Sequence, residues 1–446
     1  MNGEYKKMKR DMIGYPTLEH PLLSKKKELR EKYLNLMAYF SYKYCLNDKD
    51  AYGKVKTLAA ILLPEYTECR VEDPKKLASA ILKTRFTPFR FFSYRYVFLF
   101  DSILLFAHGS NKDAEAISTE CKSWVNKRYH KKIDEIVSEM FKNNMNFAKE
   151  TLITDEMVKS WEIIKKYYAS KEKKVVFTAT MSAGKSTLIN AIIGRKLSPA
   201  KKSACTSSII EFCSLPAKRD TYYIYCNDNE MQGDEKFVQN YVKANRNSLE
   251  IYGYFDSELS ETKIRFVDTP GINSSRNPEH KKITREALKS CKDAIIVYVI
   301  PVENYGSEDD YIHLNYIKKN VEYSDIIFVV NMIDTCDFED DSLPQIMKDI
   351  KEHLVSIGFE DPRVYPISAK AGLELKHLSR GYVITQNERV SAEAFSKKFV
   401  KDEYRLIDYY PQIRNGEETT ESERRDLNNT GLMMFEKLLL KNAKGE

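Results

Sequence analysis

The sequence lacks any apolar run of the roughly 18 residues that a helix needs to cross a bilayer, and its first ten residues are polar. The most apolar segment, 86–107, is interrupted by Arg90, Arg95 and Asp101, which predicts a buried helix. Neither a secretory signal nor a membrane span is therefore expected. The pattern favours a cytoplasmic protein.

Cysteine and histidine are scattered rather than clustered. The eight cysteines form no CxxC pair, and the seven histidines show no HxxxH or similar ligand spacing. These absences argue against a zinc cluster and a disulfide framework. The cysteines are expected to be small buried hydrophobes in a reducing compartment.

The segment 83–96 interleaves lysine and arginine with aromatic residues. That composition suits stacking on nucleic-acid bases or a membrane interface. The apolar pattern continues without a break through 97–106, which favours a buried aromatic helix whose arginines reach outward. Because the net charge is only +6 over 446 residues, nucleic acid is not an expected partner.

The pattern of the chain changes near residue 174. Residues 1–150 show apolar side chains at helical spacing and no motif, which predicts a helical domain of unknown role. A connecting helix is expected in 151–174, with an apolar stripe that includes Met157, Trp161, Ile164 and Tyr168. We expect this stripe to pack on the domain that follows, in a cluster shared with a predicted last helix, 431–440.

From residue 175 onward, short β-rich runs alternate with helical runs. Strands are predicted at 175–178, 208–212, 222–225, 263–267, 294–300, 326–330 and 364–367, and helices at 186–193, 311–321 and 343–357. This alternation predicts an α/β domain, 175–446, with a doubly wound, mostly parallel sheet. Only the stretch near 375–429 lacks a pattern, and it is interpreted as an irregular insertion.

A phosphate-binding loop is predicted where the first strand meets the first helix of this domain. Residues 179–187 read ATMSAGKST, which is a P-loop except that Ala179 replaces the first glycine. Alanine fits there only if its φ is negative. Backbone N–H groups would surround the phosphates, and Lys185 would reach the β- and γ-phosphates. The phosphate-binding candidates are Met181, Ala183, Gly184, Lys185, Ser186, Thr187 and Gly271.

Asp268 begins a DTPG motif at the tip of a predicted strand, about 80 residues after the P-loop. A carboxylate in this position can hold Mg²⁺ together with Ser186, and the Gly271 N–H can contact the γ-phosphate. The magnesium site also requires a threonine between the two motifs. Thr206 fits best and Ser207 is the competing choice, so the metal candidates are Ser186, Thr206 and Asp268.

Two further motifs at strand tips resemble guanine-reading elements. Asn331 and Asp334 match two of the three fixed positions of NKxD, with Met332 in place of the lysine. A carboxylate at Asp334 would accept from two guanine donors that adenine cannot offer together. Ser368, Ala369 and Lys370, at the end of the next predicted strand, match the SAK element, whose backbone N–H contacts the guanine oxygen. The guanine-binding candidates are therefore Asn331, Asp334, Ser368, Ala369 and Lys370.

Residues 182–194 resemble the P-loop of bacterial dynamin-like GTPases, and 205–206, 268–271, 331–334 and 429–431 follow in the order that this family uses. The resemblance covers about 175–441. It implies GTP and GDP as ligands, Mg²⁺ as cofactor, a nucleotide-dependent homodimer across the nucleotide face, and action on membranes. A peripheral membrane contact is thus suggested by the resemblance alone.

Two departures from that family matter. Ile272 stands where Ras-like GTPases place a water-orienting glutamine, although dynamin-like enzymes also lack it, so Lys185, Ser182 and Thr206 become the catalytic candidates, with Met181 beside them. In addition, no long stalk follows the predicted last helix. Membrane remodelling is therefore not carried over.

Three functional classes fit these observations. The first is a GTP hydrolase of dynamin type. The second is a nucleotide-gated switch that hydrolyses little and recruits a partner through its helical domain. The third is an ATPase with a degenerate base site, suggested by Met332, against which Asp334 argues.

Overall fold

A computed structural model describes residues 19–44, 53–63, 94–107, 109–142, 151–199, 208–216, 220–227, 229–272, 278–290, 293–321, 326–338, 342–414 and 425–444. These residues divide into two compact units. One is drawn from residues 1–171 and 215–218, and the other from residues 172–214 and 219–446.

The first unit consists of helices. They are α1 (Lys27–Tyr44), α2 (Gly53–Leu62), α3 (Arg95–Phe106), α4 (Asn111–Ser123), α5 (His130–Lys142) and α6 (Asp155–Ala169). The predicted buried helix is present as α3, which is buried from Val97 onward, while 83–93 lies outside the described residues. None of the described helices is long and apolar enough to span a membrane.

Helix α6 belongs to the core of the first unit. Trp161 is fully buried, its indole Nε1 donates to the Met140 carbonyl oxygen at 2.7 Å, and its ring meets the edge of Phe141. Trp161 lies in the first unit's core, and Phe435 and Leu439 of the last helix lie in the second unit's core. The expected packing of the stripe on the second unit stays a prediction. Helix α5 supplies the apolar cover that the sequence alone did not reveal.

The second unit is built on a nine-stranded sheet. Its described strands are β1 (Lys173–Ala179), β2 (Ile210–Leu215), β3 (Tyr222–Cys226), β4 (Asn229–Gly233), β5 (Leu249–Tyr254), β6 (Ile264–Asp268), β7 (Ile295–Pro301), β8 (Ile326–Asn331) and β9 (Val364–Pro366). Their order is β4-β3-β5-β2-β6-β1-β7-β8-β9. Strands β6, β1, β7, β8 and β9 are parallel, whereas β2 pairs antiparallel with β6 and β3 with β4 and β5.

Helices accompany this sheet along the chain. They are α7 (Lys185–Ile193), α8 (Glu235–Ala244), α9 (Pro278–Ser290), α10 (Glu308–Asn320), α11 (Leu343–Ile357), α12 (Ala369–Ser379), α13 (Gln386–Phe399), α14 (Pro411–Arg414), α15 (Arg425–Asn429) and α16 (Leu432–Lys444). The predicted α/β class, preceded by an all-α region, is confirmed. Strand β1 is buried on both faces from Val175 to Ala179, as expected of a central parallel strand.

Several parts of this unit differ from the sequence-based expectation. The stretch near 375–429 is not irregular, since it contains the end of α12 and all of α13, α14 and α15. Helix α13 buries only Ala392 and Phe399, so its apolar stripe is too sparse for periodicity to reveal. Strands β4 and β5 and helices α8 and α9 were also missed. Strand β4 is a polar strand at the edge of the sheet, so it has no apolar pattern to reveal it.

Candidate functional site

The loop between β1 and α7 has the backbone conformation of a phosphate-binding turn. Ser182 and Gly184 are left-handed, with φ of +65° and +79°. A Cβ at Gly184 would collide with the amide of Asn331, so glycine is required there by space as well as by φ. Ala179 is the last residue of β1, where an extended backbone accepts alanine, and this answers the question raised by its replacement of glycine.

Lys185 and Asp268 form a buried ion pair below this loop. The Lys185 ammonium donates to Asp268 Oδ1, and the Asp268 side chain is fully buried. Burial lowers the pKa of Lys185 from 10.5 to about 7, while the adjoining carboxylate favours the charged form. The Ser186 hydroxyl donates to the other oxygen, Asp268 Oδ2, at 3.2 Å. Three predicted residues are thus brought together.

A residue that the sequence did not single out also joins this carboxylate. The Ser198 hydroxyl donates to Asp268 Oδ2 at 2.7 Å. Asn190, on α7, holds Ser198 at both backbone groups: its Oδ1 accepts from the Ser198 N–H at 2.7 Å, and its Nδ2 donates to the Ser198 carbonyl at 2.8 Å. The sequence held one signal for this contact, a polar asparagine within the otherwise apolar run 188–193, and that asparagine is buried in the structure.

The oxygen atoms around Asp268 suit a magnesium ion. Ser186, Ser198 and Asp268 offer hydroxyl and carboxylate oxygens, which are the hard donors that Mg²⁺ prefers. The donor set therefore fits the ion that the sequence predicts. Thr206 and its competitor Ser207 lie outside the described residues, so their positions are not part of this geometry.

The DTPG turn lies against the P-loop. The Ile272 N–H donates to the Ala179 carbonyl at 3.2 Å, and Gly271 lies beside Met181. The Ile272 side chain is buried, so it faces the interior rather than the loop surface. Met181 and Ser182, in contrast, are exposed at the edge of the P-loop.

Asn331 connects two loops of the site. Its Nδ2 donates to the Ala183 carbonyl of the P-loop at 3.1 Å, and its Oδ1 accepts from the Ala369 N–H at 3.1 Å. The side chain is buried. Asn331 is one of the predicted guanine-binding residues, and its amide connects the P-loop to the Ser368–Lys370 turn.

Asp334 follows on a short 3₁₀ turn, Ile333–Thr335, that begins at left-handed Met332. Ser368 donates a hydrogen bond to Asp334 Oδ1. Lys398 of α13 donates to the Asp334 backbone carbonyl at 2.9 Å and fixes the turn. The turn is therefore held from two directions, and half-buried Asp334 lines the cleft described next.

A cleft of about 730 Å³ lies at this end of the sheet. The predicted residues that line it are Gly184, Thr187, Asn331, Asp334 and Lys370. Other lining residues were not predicted: Lys196, Ser198, Gln239, Lys243 and Glu374. Gln239 and Lys243 come from α8, which sequence patterning missed, so this wall of the cleft could not have been foreseen.

Comparison with known proteins gives a consistent relationship. Residues 175–333 match the model of the dynamin family. Dynamin-like protein A of Bacillus subtilis (strain 168) is 23% identical over 268 residues, which is 57% of this chain and 21% of that protein. An uncharacterized protein in the xynA 3′ region of Caldicellulosiruptor sp. (strain Rt8B.4) is 26% identical over 304 residues, 63% of this chain and 70% of that protein. The chain thus spans about a fifth of the length of the Bacillus relative.

Two solved structures are also similar to this chain. A structure of an oligomerised bacterial dynamin pair aligns with 99% of this chain and 78% of that chain, at 14% identity and a TM-score of 0.35. A variant of Aquifex aeolicus Era bound to GDP and AlF4⁻ covers 48% of this chain and 58% of that chain, at 22% identity and a TM-score of 0.29. The family relationship depends on the sequence matches rather than on these alignments.

Proposed function

We propose that this chain, which residues 175–333 place in the dynamin family, binds guanine nucleotide with Mg²⁺ and hydrolyses GTP to GDP and phosphate. One observation carries the proposal. The P-loop with its Lys185–Asp268 pair and the turn that carries Asp334 follow strands at one end of the sheet, where Gly184 and Asp334 line a cleft of about 730 Å³. Such a position, at the carboxyl ends of parallel strands, is where α/β sheets bind ligands.

The phosphates would bind at the N-terminus of α7. Backbone N–H groups of 183–187 point along this helix end, where anions are favoured. Lys185 would exchange its contact with Asp268 for the β- and γ-phosphates. Asp268 Oδ1 would then be free to hold the cation, while Oδ2 keeps its hydrogen bond from Ser198 and Gly271 would contact the γ-phosphate.

Mg²⁺ would be held by Ser186 and Asp268, with Thr206 proposed from the sequence as a further ligand. When bound, the ion would neutralise negative charge on the β- and γ-phosphates. Ser198 and Asn190 would orient the Asp268 carboxylate toward it, since their hydrogen bonds fix one of its oxygens.

Guanine would be read by Asp334. Its carboxylate lines the cleft, and Ser368 holds it through one oxygen, which leaves the other oxygen to accept from the base. Asn331 would position the two loops around the nucleotide rather than contact the base first. Lys370 would line the base side of the cleft.

Hydrolysis would depend on a second copy of the chain. Ile272 is buried and apolar, so it cannot orient water. Met181 and Ser182 are exposed beside the P-loop, where a partner across the nucleotide face could complete the site. We therefore propose a nucleotide-dependent homodimer in which Lys185, Ser182 and Thr206 contribute to catalysis.

The test is GTP and ATP turnover by the purified chain over a range of protein concentrations. Turnover per molecule should rise with protein concentration, because the active site is completed in trans. It should be specific for GTP, because Asp334 reads guanine. Equal turnover of ATP and GTP would instead support an ATPase.

A nucleotide-gated switch is the second candidate, favoured by the burial of Ile272. Such a protein would bind GTP tightly enough to change conformation but would hydrolyse little, and would recruit a partner through its helical unit. Tight GTP binding with negligible turnover at every protein concentration would select this alternative over the hydrolase.

A further inference from the structure

A second pocket lies on helices α9 and α10 and shares no lining residue with the nucleotide cleft. Its volume is about 320 Å³, and it is lined by Lys281, Lys282, Arg285, Glu286, Lys289 and Tyr316. Four of these side chains are cationic and one is anionic. Because Lys281, Arg285 and Lys289 are four residues apart on α9, they lie on one face of the helix.

The pocket contains hydrogen-bonding groups that no described residue satisfies. The Arg285 guanidinium lies over the Tyr316 ring, with its carbon 4.1 Å from the ring centroid. Arg285 Nε and the Tyr316 hydroxyl oxygen are both buried and have no hydrogen-bond partner within the described part of the chain. Buried polar groups are nearly always paired, so two unpaired donors side by side indicate a missing acceptor.

The positive charge of the pocket is poorly balanced from within. Glu286 lies 4.0 Å from Lys282, and both side chains are well exposed, so this contact neutralises little. This positive charge also acts on the interior: burial, together with the charges of Arg285 and Lys281, lowers the pKa of His313 to about 3. His313 in turn is bonded to Thr178 of β1, with Nε2 2.8 Å from the hydroxyl oxygen.

We propose that this pocket binds a phosphate group, as a second anion site outside the nucleotide cleft. Its donors are the Arg285 guanidinium, the Lys281 and Lys289 ammonium groups and the Tyr316 hydroxyl, and several convergent donors of this kind match a compact oxyanion of high charge. The small volume suits one phosphate rather than an extended polymer. The ligand class is therefore a phosphate monoester, either soluble or carried on a lipid headgroup.

The position of the pocket links it to the nucleotide site. Helix α9 follows the DTPG turn, and buried Thr284 of this helix donates to the Pro270 carbonyl at 2.9 Å. A ligand on Arg285 and Lys289 therefore contacts the helix that is bonded to the segment next to Gly271.

The test is calorimetric titration of the full chain with inorganic phosphate, in the presence of excess GDP so that phosphate does not occupy the P-loop. The variant Arg285→Gln/Lys289→Gln should weaken phosphate binding about tenfold or more, since two charge-assisted contacts are lost. The matched control is Lys348→Gln/Lys351→Gln on α11, where both lysines are exposed and paired with carboxylates. Equal binding by the pocket variant, or equal loss in the control, would overturn the site.

A milder variant guards against misfolding. Tyr316→Phe keeps the ring beneath Arg285 and removes only the hydroxyl donor, so a measurable but smaller loss of phosphate binding is expected, and no loss would count against the proposed geometry. GDP binding is measured separately by the same method. If the wild type does not bind GDP, the proposed function is rejected. The comparison of the pocket variant with the control variant would still decide whether the phosphate site exists.

Vesicles distinguish the two sources of phosphate. Sedimentation of the wild type with phosphatidylcholine vesicles that contain phosphatidic acid, but not with phosphatidylcholine alone, would identify a lipid headgroup if Arg285→Gln/Lys289→Gln abolishes it. Binding of inorganic phosphate without vesicle binding would identify a soluble phosphate ester. If the wild type binds neither inorganic phosphate nor these vesicles, the pocket is rejected as a phosphate site.

Discussion

At the scale of single residues, the Lys185–Asp268 pair carries the first prediction. We expect Lys185→Ala to abolish GTP turnover, because no other described ammonium is paired with Asp268 below the P-loop. The variant should also lose about 3–5 kcal/mol of unfolding free energy, since it leaves a buried carboxylate unpaired. Turnover assays and denaturant unfolding measure the two effects, and unchanged turnover would refute the site assignment.

A double variant separates stability from chemistry. Lys185→Met/Asp268→Asn removes both charges, so most of the lost unfolding free energy should return. Turnover should stay absent, because both the phosphate contact and the proposed metal ligand are gone. Recovery of turnover with stability would mean that Lys185 acts only through folding.

Ser198 supports a prediction about magnesium. Ser198→Ala removes the hydrogen bond that fixes Asp268 Oδ2, so the Mg²⁺ concentration for half-maximal turnover should rise about tenfold. The matched control is Ser214→Ala, which removes another buried hydroxyl, one bonded to the Thr262 carbonyl. An identical magnesium dependence in both variants would remove Ser198 from the site.

Asp334 decides the base in our proposal. Asp334→Asn should shift preference from guanine toward xanthine nucleotides, because an amide can donate to the second carbonyl of xanthine. Dissociation constants for GDP, XDP and ADP measure the shift, and Asp361→Asn, on an exposed turn, is the control. A variant that still prefers GDP as strongly as the wild type would contradict the role of Asp334.

At the scale of elements, a buried ion pair joins α12 to α16. Lys376 Nζ donates to Glu436 Oε1 at 2.8 Å, and both side chains are buried. Burial raises the pKa of Glu436 from 4.5 to about 7, with Lys376 opposing the shift. A raised carboxyl pKa means that the stability linked to its proton is fully present below about pH 4.5 and is lost as the pH rises through about 7.

We therefore expect Glu436→Gln to change the pH profile of unfolding. Relative to the wild type, its unfolding free energy should gain up to about 1.4 kcal/mol per pH unit between about pH 4.5 and about pH 7. Taking the difference between the two proteins cancels other groups, such as His377, whose pKa burial lowers to about 4. Glu352→Gln, at an exposed pair, is the control, and a pH-independent difference for Glu436→Gln would contradict the shift.

At the scale of the whole molecule, both tryptophans lie in the first unit and the nucleotide site lies in the second. Intrinsic tryptophan emission therefore reports only on the helical unit. If α6 transmits the nucleotide state, GTP with Mg²⁺ should change the emission of Trp161, whose environment depends on its bond to Met140 and its contact with Phe141. The experiment uses Trp124→Phe, so that Trp161 is the sole emitter.

The control for this measurement is the same protein carrying Lys185→Ala, which should give no change. Unchanged emission at saturating GTP in the Trp124→Phe protein would leave Trp161 as a core residue and remove α6 as a transmitter. The proposal of a GTPase site would stand in that case, because it rests on the second unit alone.

The sequence by itself determined the order of the motifs and the class of the second unit. A P-loop, a DTPG turn and an NxxD element each depend on neighbours in the chain, and strands of a parallel sheet bring their carboxyl ends to one edge. That is why Lys185, Asp268 and Asp334 could be predicted to lie at the same end of the sheet. The alternation of β-rich and helical runs predicted the α/β class for the same local reason.

Only the tertiary structure decided the contacts between distant segments. Ser198 reaches Asp268 because Asn190 holds its backbone. Asn331 connects two loops that are far apart in the chain, and Trp161 is covered by α5 within its own unit. No short-range pattern encodes these pairs, since each depends on how helices and strands pack. Helix α13 escaped prediction because a helix that buries only two apolar side chains leaves almost no periodic trace in the sequence.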